Sequence, residues 1–209
     1  MVGIGAPAEP VADNSEHMGE PERPRRDRID NERAVMPHNW VHSAGGPFLV
    51  APESELGHWG GVEDMDGPVQ TWGDYGRACA VQGYIGLVAV GSQQALVLGD
   101  QPARTTYLPA ERVFLRGAHT GSDEEIATMA RRVLSEIVWD ADEDLRWEVR
   151  EAVVLFDSAW AGTEIEPDNH LRIELEPGGY RVRAASCRFP DNWLILVQLQ
   201  PEVATEPTR

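Results

Sequence analysis

The chain has 209 residues, 42% of them hydrophobic, which supplies enough apolar material for a sizeable core in one large or two small domains and excludes disorder throughout. Its 18 basic residues are all Arg and stand against 35 acidic ones, for a formal charge of −17; nucleic acid and anionic lipid, whose binding needs cations to displace counterions, are disfavoured as partners. A basic protein partner is the electrostatic match, although excess acid also serves solubility alone.

From Met1 to Pro37 the sequence is rich in Pro, Glu and Arg, with few large apolar side chains to offset the entropy of ordering, and reads as a flexible tail. Its arginines, Arg23, Arg25, Arg26, Arg28 and Arg33, are outnumbered by acids, so a nucleic-acid arm is not expected. The folded part is expected over 38–202, followed by a flexible end at 203–209. The N-terminus, Met-Val-Gly-Ile-Gly-Ala-Pro, has neither the basic start nor the apolar core of an export signal, and no stretch reaches the roughly eighteen continuous apolar residues of a membrane span. A cytoplasmic protein that does not engage membranes is the expectation.

Short β-rich runs broken by Gly and Pro fill the region from Trp40 to Arg116. Phe48 to Val50 is the first strand, and Tyr84 to Val90 with Ala95 to Leu98 forms a hairpin around Gly91-Ser92. Pro52 to Trp72 reads as loop with a helical turn or two, Asp74 as the cap of a short helix through Ala80, and Val113 to Arg116 as a strand. The spacing of Ile126, Met129, Ala130, Val133, Leu134, Ile137 and Val138 predicts an amphipathic helix over 122–138, opened by a Ser122/Glu125 capping box and lying on a sheet. A second β region begins with Val153 to Phe156. Leu171, Ile173 and Leu175 alternate with charged residues, as do Tyr180, Val182 and Ala184, and Pro177-Gly178-Gly179 between them predicts a hairpin with Arg and Glu paired on its outer face. Trp193 to Leu199 is the last strand. The fold class is α+β, mostly β, with antiparallel sheets; the β regions 38–120 and 146–200, joined by the helix, either share one core or make two lobes.

Several constellations invite chemistry. His38, His42 and His58 suggest a metal, but the Gly-Gly-Pro after His42 argues against the helix that would align the first two. Asp157-Ser158 could belong to a hydrolase, yet Phe-Asp-Ser-Ala-Trp-Ala-Gly lacks the Gly-x-Ser-x-Gly elbow, and such a pair after a strand more often satisfies a turn. Cys79 and Cys187 match no metal or redox spacing; one disulfide is open, with free thiols the default. No cofactor is implied. The acidic segment Asp140, Asp142, Glu143 and Asp144, and a second set of Glu164, Glu166 and Asp168, crowd like charges that a cationic partner would relieve. Trp59 and Trp72, set among Gly and acids, are candidate exposed anchors for such a partner.

A string of landmarks runs through most of the chain: Trp40 with Gly45-Gly46-Pro47, Trp59-Gly60-Gly61, Asp74-Tyr75-Gly76-Arg77, Leu98-Gly99-Asp100, and Phe156-Asp157-Ser158. In order and spacing, from Asn39 to Leu199, it resembles the immunity protein 21 family of bacterial polymorphic toxin systems. The resemblance implies a mostly β fold, landmark residues with a structural role, no catalysis, and a cognate toxin, often a nuclease, as the partner. The acids and tryptophans above then become toxin-binding candidates. The alternatives from other classes are a small hydrolase or metal enzyme built on Asp157/Ser158 or the histidines, and a scaffold without toxin-blocking activity.

Overall fold

A computed structural model describes residues 39–99, 102–118, 121–190 and 192–202. The tails expected at 1–37 and 203–209 lie outside these residues, as do His38 and Asp100. In chain order the strands are Phe48–Pro52 (β1), Ile85–Val90 (β2), Gln93–Leu98 (β3), Thr105–Leu108 (β4), Val113–Ala118 (β5), Asp144–Val149 (β6), Val153–Asp157 (β7), Leu171–Ile173 (β8), Gly178–Arg188 (β9) and Trp193–Pro201 (β10). The α-helices are Gly73–Cys79 (α1) and Asp123–Leu134 (α2).

The strands form two five-stranded sheets, β2-β3-β1-β7-β8 and β4-β5-β10-β9-β6, in which every pairing is antiparallel. Alternation along each strand decides what it touches. Phe48 and Val50 of β1, Leu96 and Leu98 of β3, and Leu155 of β7 meet Phe114, Val182, Ile195, Val197 and Leu199 from the other sheet in one apolar layer. The residues between them, Leu49, Ala51, Ala95, Val97, Val154 and Phe156, face the opposite way and are covered by Trp59, Ala78 and Leu56. On the outer face of the second sheet, α2 lays Ile126, Ala127 and Ala130 against Leu108, Leu115, Leu194 and Leu196.

This arrangement decides the open question of lobes. Both sheets draw strands from both β regions and share the layer between them, so 38–120 and 146–200 do not make separate lobes.

The hairpin of β2 and β3 is as expected, with Gly91 at φ 54, the left-handed conformation such a tight turn demands. The capping box is present, Ser122 Oγ accepting from Glu125 N and the Glu125 carboxylate accepting from Ser122 N. Four expectations need correction. The helix ends at Leu134, four residues early: Ile137 and Trp139 pack inward from the non-helical segment that follows while Val138, between them, is 88% exposed. Asp74 lies inside the first turn of α1 and does not cap it. The Leu171 to Ala184 hairpin is not formed, because β8 pairs with β7 in one sheet and β9 with β6 and β10 in the other, so the chain crosses between sheets near Pro177. Two strands, β4 and β6, lie where none was expected.

A shared core makes a specific prediction. Phe48→Ala in the first sheet and Phe114→Ala in the second should each lower stability by about 3–5 kcal/mol, and both should move a single calorimetric transition. Two transitions, each moved by only one of the variants, would mean that the sheets unfold independently.

Candidate functional site

Most of the landmark residues come together at one end of the first sheet. The β1–β7 register sets Phe48 opposite Asp157, so the residues preceding β1 lie beside those following β7. Asp157 there accepts from Ala44 N at 2.9 Å and Ala159 N at 3.0 Å, while Ser158 Oγ donates to the Pro47 carbonyl at 2.6 Å. Trp59 Nε1 donates to the Ser158 carbonyl at 2.9 Å. The guanidinium of Arg77 stands 5.6 Å from the Trp59 ring centre and donates to Asp74 and to the Ala89 carbonyl, and Asp74 accepts from Gly60 N at 2.8 Å. Tyr75 stacks on Trp72 and sits so close under Gly46 that a Cβ there would run into the phenol. Burial, with a smaller contribution from the neighbouring Cys79 thiol, pushes the Tyr75 pKa up to about 12. Trp40 stands apart from this knot, beside the Val41↔Thr105 bridge, with the Arg104 guanidinium 4.2 Å over its ring.

These bonds leave no room for the hydrolase reading. A nucleophilic serine needs its proton taken by a base and its oxygen open to substrate. Ser158 is fully buried and its proton is committed to a main-chain carbonyl; Asp157 is engaged with backbone amides. Cys79 and Cys187 are free thiols, both pushed up in pKa by burial, and so poor thiolates. His42 and His58 are separated, the first held through its backbone by Asn169 and the second beside Glu55 at 3.1 Å. Among the described residues no three metal-ligating side chains cluster.

The acidic candidates divide into two kinds. Asp140 and Asp142 are exposed. Glu143 is turned inward, its two oxygens accepting from Tyr84 N at 2.8 Å and Ile85 N at 3.0 Å, and so ties the edge of the second sheet to β2. Asp144 begins β6 and pairs with Arg181, whose hydrogen bonds and charge hold its carboxyl below the usual range. The repulsion expected within the segment is therefore relieved for Glu143 and Asp144 from inside the molecule. Glu164 and Asp168 are exposed, and Glu166 accepts from Asn169 Nδ2 at 2.8 Å. Asp168 borders a cleft of about 510 Å³ lined also by Trp40, His42, Arg104, Asp123 and His170.

Trp59 is corrected as an exposed anchor: it is 2% exposed and fastened to Ser158, a core residue of the knot. Trp72 is half-buried. Three large exposed apolar residues were not anticipated from the sequence, Met65 at 63%, Trp160 at 40% and Phe189 at 36%. The signal for Met65 was its position inside Glu63-Asp64-Met65-Asp66, an apolar side chain with no periodic partner in a loop bounded by Gly and Pro.

The division among acids is testable by denaturation. Glu143→Ala strips the acceptors from two main-chain amides and should cost about 1–3 kcal/mol, whereas Asp142→Ala, two residues from a strand and in solvent, should stay within about 0.5 kcal/mol. Equal effects would contradict the assignment of Glu143 to the fold.

No curated protein and no solved structure gives a match to the chain. The family model described as immunity protein 21 matches residues 39–192, well over half of the chain and every strand from β1 to β9. The chain therefore belongs to the immunity protein 21 family.

Proposed function

We propose that this protein binds a cognate toxin in stoichiometric complex and neutralises it, without making or breaking a bond. The observation that carries this reading is the family match over residues 39–192. The net charge of −17 supports a basic toxin, and a nuclease is the natural case, because a protein that handles polyphosphate must present a cationic cleft. The exposed acids Asp140, Asp142, Glu164 and Asp168 would then steer the toxin electrostatically, with the half-buried Glu166 between the last two. No helix among the described residues is long and apolar enough to cross a membrane. On this reading the protein acts in the cytoplasm of the cell that makes the toxin, needs no cofactor, and does not contact nucleic acid itself.

Co-expression with the toxin encoded beside it should restore growth, and the two chains should co-purify in equimolar amounts; cells that die despite folded protein would refute the proposal. Steering has its own signature. The association rate should fall by roughly an order of magnitude between low and high salt, with dissociation little changed. A rate indifferent to salt would remove the acids from the mechanism while leaving toxin binding intact.

A further inference from the structure

The sequence from Glu63 to Asp66 places a methionine among three carboxylates, and all four residues are exposed. Isolated apolar residues on a surface are ordinary, so Met65 alone argues for nothing. What distinguishes it is a second large exposed apolar residue, Trp160, on the segment that meets the base of its loop, and the bracing of the loop that carries it. Val62 N donates to the Ala159 carbonyl at 2.9 Å, which brings the chain at Trp160 against the base of the Met65 loop. The base is closed by the Val62↔Gly73 bridge. Within the loop, Asp66 N donates to Asp64 Oδ1 at 2.9 Å, Thr71 Oγ1 to the Pro68 carbonyl at 2.8 Å, and Trp72 Nε1 to the Gly67 carbonyl at 3.3 Å. Trp72 is in turn stacked on Tyr75, at 6.2 Å between ring centres, and the Asp74 bond to Gly60 N and the Trp59 bond to Ser158 fasten the loop to the end of the first sheet. A loop braced in this way presents its side chains with little ordering left to be done on association.

The rim is charged and unneutralised. Glu63, Asp64 and Asp66 enter no ion pair among the described residues, in contrast to Asp144 and Glu53, whose charges are met by Arg181 and Arg172. Met adapts to irregular pockets, and Trp is over-represented among the few residues that dominate binding energy.

We infer that the Met65 loop and Trp160 form the docking surface for the toxin, seating Met65 and Trp160 in an apolar recess of the partner whose margin carries Arg or Lys facing Glu63, Asp64 and Asp66. This rests on the toxin-binding reading above and locates it on a part of the molecule distinct from the Asp140 to Asp144 segment.

The test uses the full chain and the purified toxin domain encoded by the adjacent gene, with affinity read by calorimetry. The double variant Met65→Ala/Trp160→Ala should bind roughly 10- to 100-fold more weakly with an unchanged melting temperature. The triple variant Glu63→Gln/Asp64→Asn/Asp66→Asn, which keeps the Asp64 acceptor, should slow association several-fold at low salt and lose that difference at high salt. Asp140→Asn/Asp142→Asn serves as the comparison and should have the smaller effect on affinity. Hydrogen exchange on the unaltered complex gives a reading independent of any variant: amides at 62–72 and 159–162 should be slowed by the toxin. If the wild-type chain binds but the double variant binds equally well, or those amides exchange at the same rate in the complex, this surface is wrong and toxin binding stands. If the wild-type chain does not bind, both fall together.

Discussion

The apolar layer between the two sheets is what the rest of the structure depends on. Because helix α2 and the Trp59 side also cover the outer faces, the central strands are buried on both sides, and β1 reads as an unbroken apolar run, Phe-Leu-Val-Ala-Pro, with alternate residues serving different layers. Strands so constrained in register fix which chain ends lie side by side. The pairing of Phe48 with Asp157 brings the Ser43 to Pro47 turn against Asp157 and Ser158, and that neighbourhood is completed by Trp59, Asp74, Tyr75 and Arg77. The landmark residues of that neighbourhood thus hold loops to a sheet end.

The same frame sorts the charges. Arginines on the strands meet acids distant in sequence: Arg181 with Asp144, Arg172 with Glu53, Arg146 with Glu202. Each pair is partly exposed and adds little to stability. Their larger consequence is that these acids are already answered inside the molecule. Among the described residues, acids outside any ion pair include several on connections, at Asp140 and Asp142, at Glu164 and Asp168, and around Met65. The association proposed above calls for unmet charge on rigid parts, and the loop beneath Met65, braced by Trp72 and by the bridge at its base, is such a part.

Where signals were local, the sequence was readable. The capping box at Ser122, the apolar stripe of α2, and the Gly91-Ser92 turn between alternating strands each depend on residues a few positions apart. Strand β6 was also legible in principle, since Leu145, Trp147 and Val149 alternate with charged residues, but the acids around it masked the period. Strand β4 carried no alternation to find, because all four of its residues are buried. The β8–β9 segment had every mark of a hairpin. Alternation and a Pro-Gly-Gly turn specify two strands and a reversal of the chain, and say nothing about whether the second strand returns to the first sheet or crosses to the other.

By itself the sequence determined the class of the fold, the main helix and its start, and membership in the immunity protein 21 family, since all of these reside in period, capping and the order of landmarks along the chain. Only the tertiary structure decided that one core serves both β regions, that Trp59 and Glu143 belong to the fold, and that Met65 and Trp160 face outward. The reason is range. Glu143 acquires its role from amides 58 and 59 residues away, and Trp59 from a carbonyl 99 residues away. A hydrogen bond over such a separation leaves no periodic trace in the residues that make it, because its geometry exists only after the sheets have closed on their common layer.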